Sequence, residues 1–131
     1  MSFATWKKSW PVLALGATVL LFNASALAHG SSKPEHGGVV QIAGETLLEL
    51  VVRPDSVALY VKEDDEEVAS AGMTAKLTIA YKGADTVVAM EPAAGNRFEA
   101  KGVKVMRGSK VAVVLTNKAT QAKLGATFNI D

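Results

Sequence analysis

From Val39 to Asp131 apolar and polar residues alternate with a period of two, and turn-forming residues interrupt the alternation every eight to twelve residues or so. The clearest run is Met73 to Tyr81, in which Met73, Ala75, Leu77, Ile79 and Tyr81 alternate with Thr74, Lys76, Thr78 and Ala80. Similar runs predict strands over Val39–Ile42, Thr46–Val52, Val57–Lys62, Thr86–Glu91, Lys110–Thr116 and Ala122–Ile130. Two shorter stretches, Arg97–Ala100 and Gly102–Met106, together offer an eighth. Turns are expected at Arg53-Pro54-Asp55-Ser56, Lys82-Gly83-Ala84-Asp85, Ala93-Ala94-Gly95-Asn96 and Arg107-Gly108-Ser109, where Pro, Gly, Asp and Asn supply turn geometry. No stretch holds a 3.6-residue stripe. Seven or eight short strands imply an all-β domain, an antiparallel immunoglobulin-like sandwich, with a small closed barrel as the alternative.

The pattern changes at Glu35-His36-Gly37-Gly38-Val39-Val40. Ahead of it, residues 29–38 are polar, carry Gly30, Pro34, Gly37 and Gly38, and show no periodicity, so a flexible tail is expected there. Residues 1–28 read as a cleavable signal peptide. Lys7 and Lys8 form a basic start, Val12 to Phe22 is an apolar run too short to span a bilayer, and Ala26-Leu27-Ala28 is a cleavage site. The expected mature product begins at His29, places its sandwich over 39–131, and resides in the periplasm without membrane insertion.

Composition then narrows the function. With Lys7 and Lys8 in the leader, 12 of the 14 basic residues remain against 13 acidic ones, and such a balanced surface predicts no nucleic-acid partner. The chain has no cysteine, so the core alone must hold the domain, which a length of about a hundred residues allows. Nucleophile elbows, zinc-protease helices and phosphate loops are all missing, and both histidines fall in the tail, where a transition state is hard to preorganise. A non-enzymatic protein is expected. Glu63 to Glu67 lacks the spacing of a calcium loop and reads as a solvated hairpin loop. Met73 and Met90 occupy core positions of the alternation, and Met106 lies beside a turn.

The tail holds the candidate chemistry. A mature terminus at His29 offers its α-amine and ring Nδ1 as a chelating pair, and His36, with Glu35 beside it, lies close enough in sequence to fold back as a further ligand. Amine and imidazole nitrogens suit Cu(II), Ni(II) and Zn(II), with Cu(II) bound tightest, so copper is the expected metal and His29, His36 and Glu35 the expected ligands. The competing reading makes the Ala-Leu-Ala-His junction a coincidence and His36 a cap on the first strand.

His36-Gly37-Gly38-Val39-Val40, Leu48-Glu49-Leu50-Val51-Val52, Val57-Ala58-Leu59-Tyr60-Val61 and Pro92-Ala93-Ala94-Gly95-Asn96 together carry a resemblance. The chain resembles a family of small exported proteins of undefined function. It is also similar to the N-terminal H-G-G-containing β-domain attached to periplasmic adaptor subunits of heavy-metal efflux pumps of the resistance-nodulation-division class. The resemblance implies a β-sandwich working in copper or other metal homeostasis, with a metal efflux or envelope protein as partner. Family members often bear a second histidine near the hairpin that here reads Glu63-Asp64-Asp65-Glu66, and this chain has none. The rival to metal binding is a metal-free interaction module that docks on an envelope or efflux complex by an exposed edge strand.

Overall fold

A computed structural model describes residues 32–131; the expected leader and His29 lie outside them. Ten strands form in chain order: β1 (Val39–Ala43), β2 (Thr46–Arg53), β3 (Ser56–Glu63), β4 (Glu66–Glu67), β5 (Met73–Tyr81), β6 (Ala84–Ala89), β7 (Glu91–Pro92), β8 (Arg97–Lys101), β9 (Lys110–Asn117) and β10 (Lys123–Asn129). One sheet runs β1-β2-β3-β8-β7, with β4 folded back onto β3, and the other runs β10-β9-β5-β6. All pairings are antiparallel. The result is the expected all-β sandwich. No ladder joins the two sheets among the described residues, although β1 lies alongside β10. No described helix is long and apolar enough to cross a membrane.

Period two places one set of side chains from each strand between the sheets. On the first sheet Leu48 faces Val61, Leu50 faces Leu59, and Leu59 faces Phe98 across the ladders. On the second, Leu77 faces Val113, and Val111 lies between Ile79 and Phe128. These residues are almost fully buried in one cluster. Each large side chain contributes about 1.5–3 kcal/mol on leaving water. Met73 and Met90 are buried in the same cluster, as their alternation implies, whereas Met106 is exposed.

Glu63 to Glu67 forms the expected exposed hairpin: Asp64 and Asp65 take positive φ of 52° and 66° and turn the chain tightly, so that Glu63 pairs with Glu66. Aspartate tolerates this left-handed geometry better than most residues. Three other local expectations are altered. The strand expected over Thr86–Glu91 divides, because Met90 turns inward, donates its N–H to Ala75 O at 3.0 Å, and carries the chain from β6 in one sheet to β7 in the other. Gly102–Met106 is not a strand. The N–H groups of Gly102 and Val103 both go to Asp55 O, and Val103 and Val105 pack against the core from an irregular segment. Within the expected tail, Glu35–Gly38 is docked against β2.

Pro92-Ala93-Ala94-Gly95-Asn96 meets β3 just beyond Tyr60 and Arg97, where the β3/β8 ladder ends. Buried Asn96 donates Nδ2 to Val61 O at 2.9 Å, and its own carbonyl accepts the Val61 N–H. Buried Ser70 donates to Ala93 O at 2.8 Å. Polar side chains here complete hydrogen bonds that the ladder has left open.

Candidate functional site

Glu49 sits in the middle of β2 between Leu48 and Leu50, on the face turned away from the core. Such a carboxylate belongs in water, yet Glu49 is only 2% exposed. The segment Glu35–Gly38 folds back over it. Glu49 Oε1 accepts the main-chain N–H of Glu35 at 3.0 Å, and Oε2 accepts those of His36 at 2.8 Å and Gly38 at 2.9 Å. The fourth bond is to the His36 ring, whose Nδ1 lies 2.9 Å from Oε1. Burial by itself would raise the Glu49 pKa. The bonds from the His36 ring and from the N–H groups of Gly38, His36 and Glu35 outweigh it and hold the carboxyl below its ordinary value.

Each residue of the His-Gly-Gly run has a physical reason. The His36 ring lies flat on Tyr60, with centroids 3.6 Å apart and planes 3° from parallel. Tyr60 is directly opposite Glu49 in the β2/β3 register, so one ring reaches both the carboxylate and the aromatic face. Gly37 has φ of +76°, a conformation open to glycine at little cost. Gly38 runs against β2 so closely that a Cβ there would stand 2.3 Å from Leu50 O and 2.9 Å from Val51 Cγ2. Outside this core, Lys62 on β3 makes an ion pair with Glu35 Oε1, which raises the lysine pKa.

An ionised carboxylate only accepts hydrogen bonds, so His36 Nδ1 carries a ring proton, and in the neutral ring the lone pair lies on Nε2. Nε2 has no hydrogen-bond partner among the described residues, and the His36 side chain is 38% exposed. A histidine held by a carboxylate at one nitrogen and open at the other has the form of a metal ligand with its outer-shell support. Among the described residues no three His, Cys, Asp or Glu side chains gather closely enough to share an ion.

Of the residues expected to bind metal, His36 is docked on the folded body rather than carried on a free tail. Glu35 is beside it but contributes its main chain to Glu49 and its carboxylate to Lys62. His29 lies outside the described residues. Reading along the sequence missed Glu49, Tyr60 and Lys62. The signal for Glu49 was the single charge inside the apolar run Thr46-Leu47-Leu48-Glu49-Leu50-Val51-Val52, on a face otherwise carrying Leu47 and Val51. No family model, curated protein or solved structure matches the chain.

Proposed function

We propose that the protein is a non-enzymatic periplasmic accessory of metal handling that binds a transition metal, copper in the first place, through nitrogen donors with His36 Nε2 as the fixed one. The observation that carries this reading is the Nδ1 contact to buried Glu49, 2.9 Å long, which orients the ring and leaves Nε2 as the free nitrogen. Orientation by an outer-shell carboxylate raises ligand basicity and removes ring rotation that a metal would otherwise have to freeze. The remaining donors come from the mature terminus: the His29 α-amine and ring nitrogen form a chelate, and six residues of extended chain, spanning up to about 20 Å, allow it to return to His36. Glu35 joins the donor set by releasing Lys62. The resemblance to metal-efflux adaptor domains points the same way, toward an efflux or envelope protein as partner.

Calorimetric titration with Cu(II) tests this on three proteins: one beginning at His29, one with a single residue added ahead of it, and His36→Ala. About one equivalent is expected to bind to the first. The added residue abolishes the amine–imidazole ring and sharply weakens binding, and His36→Ala weakens it modestly relative to the first protein. Equal affinity in all three, or none in any, rejects the metal reading in favour of a metal-free interaction module.

A further inference from the structure

The four sheet edges are unequally protected. β1 and β10 lie alongside each other, and at the far end of the first sheet the short β7 sets Glu91 and Pro92 along β8. Charges, proline and very short strands are the devices that keep an edge from pairing with another chain. β6 has almost none of them. It runs six residues without lysine, proline or bulge, its only ionisable side chain is Asp85, and Val87 on its outward face is 62% exposed. An open cleft of roughly 600 Å³, lined by Val88 and Ala89 and, across from them, by Glu91, Arg97, Glu99 and Ala100, lies beside the C-terminal end of this strand.

The register shows which main-chain groups are free. β5 and β6 are joined by the two-residue turn Lys82-Gly83, with φ of 47° and 79°, and Tyr81 faces Ala84 across it. In such a hairpin the residues flanking the turn form a hydrogen-bonded pair, and bonded pairs then alternate. The Met90 N–H to Ala75 O bond fits the same phase at the other end. Ala84, Thr86 and Val88 therefore bond to β5, and Asp85, Val87 and Ala89 point their N–H and C=O groups away from it.

We infer that β6 is the interface for a second copy of this chain, pairing antiparallel with its own equivalent so that the two β10-β9-β5-β6 sheets become one continuous sheet. A two-fold axis normal to the sheet at Val87 keeps inner faces inward. It sets Val87 against Val87 of the second copy, and Asp85 against Ala89 of the second copy, and all the free N–H and C=O groups of those three residues are then bonded. No like charges meet. Lys76 lies next to Ala89 on β5, and the small alanine side chain lets it reach across to Asp85 of the other copy. Neither Lys76 nor Asp85 has an ion-pair partner among the described residues. The symmetric pairing supplies one to each, twice over. A different partner strand would need to bring its own cation to Asp85, whereas a second copy already carries it.

Sedimentation equilibrium of the full chain as recovered from expressing cells, with chelator present to exclude metal bridging, decides the matter. A dimer is expected. Val87→Lys places a charge on the edge and abolishes the dimer while the far-UV circular dichroism spectrum stays that of the native fold, and its melt no longer shifts with protein concentration. Asp85→Lys sets lysines against each other and weakens association about tenfold, and Asp85→Lys combined with Lys76→Asp restores it. A protein that stays monomeric as its concentration is raised overturns the inference. So does a dimer indifferent to Val87→Lys, or one in which the charge exchange brings no recovery.

Discussion

The two faces of β2 are both buried, by different physics. Leu48 and Leu50 face the core, where burial is non-directional and shared among many neighbours. Glu49, between them, faces the folded-back segment and is held by four hydrogen bonds of defined direction. The core side loses stability in proportion to the atoms removed. The carboxylate side stands or falls with one residue, because every bond converges on it and a buried acceptor without donors is expensive.

Breaking the core side has the largest effect. Leu50→Ala removes a fully buried side chain and lowers unfolding free energy by about 2–5 kcal/mol in urea titration, while the segment at His36 stays docked in what remains folded. Glu49→Ala comes next, at about 1–3 kcal/mol, and its signature is local. Amide exchange at His36 and Gly38 accelerates to that of free chain, and protection in β3 and β9 is kept. Equal loss of protection throughout would mean that the clamp and the core are one cooperative unit.

Gly38→Ala leaves the carboxylate in place and blocks its partner. With a Cβ standing 2.3 Å from Leu50 O the segment has to lift, and the expected loss is about 1–3 kcal/mol with the same local exchange pattern. Tyr60→Leu removes only the stacking surface beneath His36, so about 0.5–1.5 kcal/mol and a partial loosening of His36 are expected.

Acid separates the two faces without mutation. The Glu49 pKa is lowered from 4.5 on folding, so the unfolded chain takes up this proton first as pH falls. Its contribution is complete above about pH 5 and is lost as pH drops through 4.5 toward the depressed folded value. Urea midpoints measured down this range are expected to fall for the native protein. Glu49→Gln starts lower at neutral pH and flattens the decline, and identical slopes would remove Glu49 as the source.

Much of the fold was legible in the chain because strand alternation and turn chemistry are local. Met73 to Tyr81 reads as a strand and is one, from end to end, and Pro54-Asp55 turns β2 into β3. The stretch Gly102–Met106 reads equally well as a strand, but its N–H groups reach Asp55, more than forty residues earlier, and no local pattern contains that contact. The candidate site divides in the same way. His36 and Glu35 stand out by residue type. Glu49 does not, since alternation assigns it to an outward face and is silent on what lies over that face.

Where successive side chains point is a local matter, so alternation along the chain fixes the strand periodicity, the inward set of side chains and the all-β class. The folded chain adds the choice of two sheets over a closed barrel, the cover on the outward face of β2, the meeting of His36 with Glu49 and Tyr60, and the open edge of β6. Those outcomes depend on which distant segments come to lie together. The bonds from His36 and Gly38 to Glu49 span thirteen and eleven residues, beyond the reach of any two-residue period.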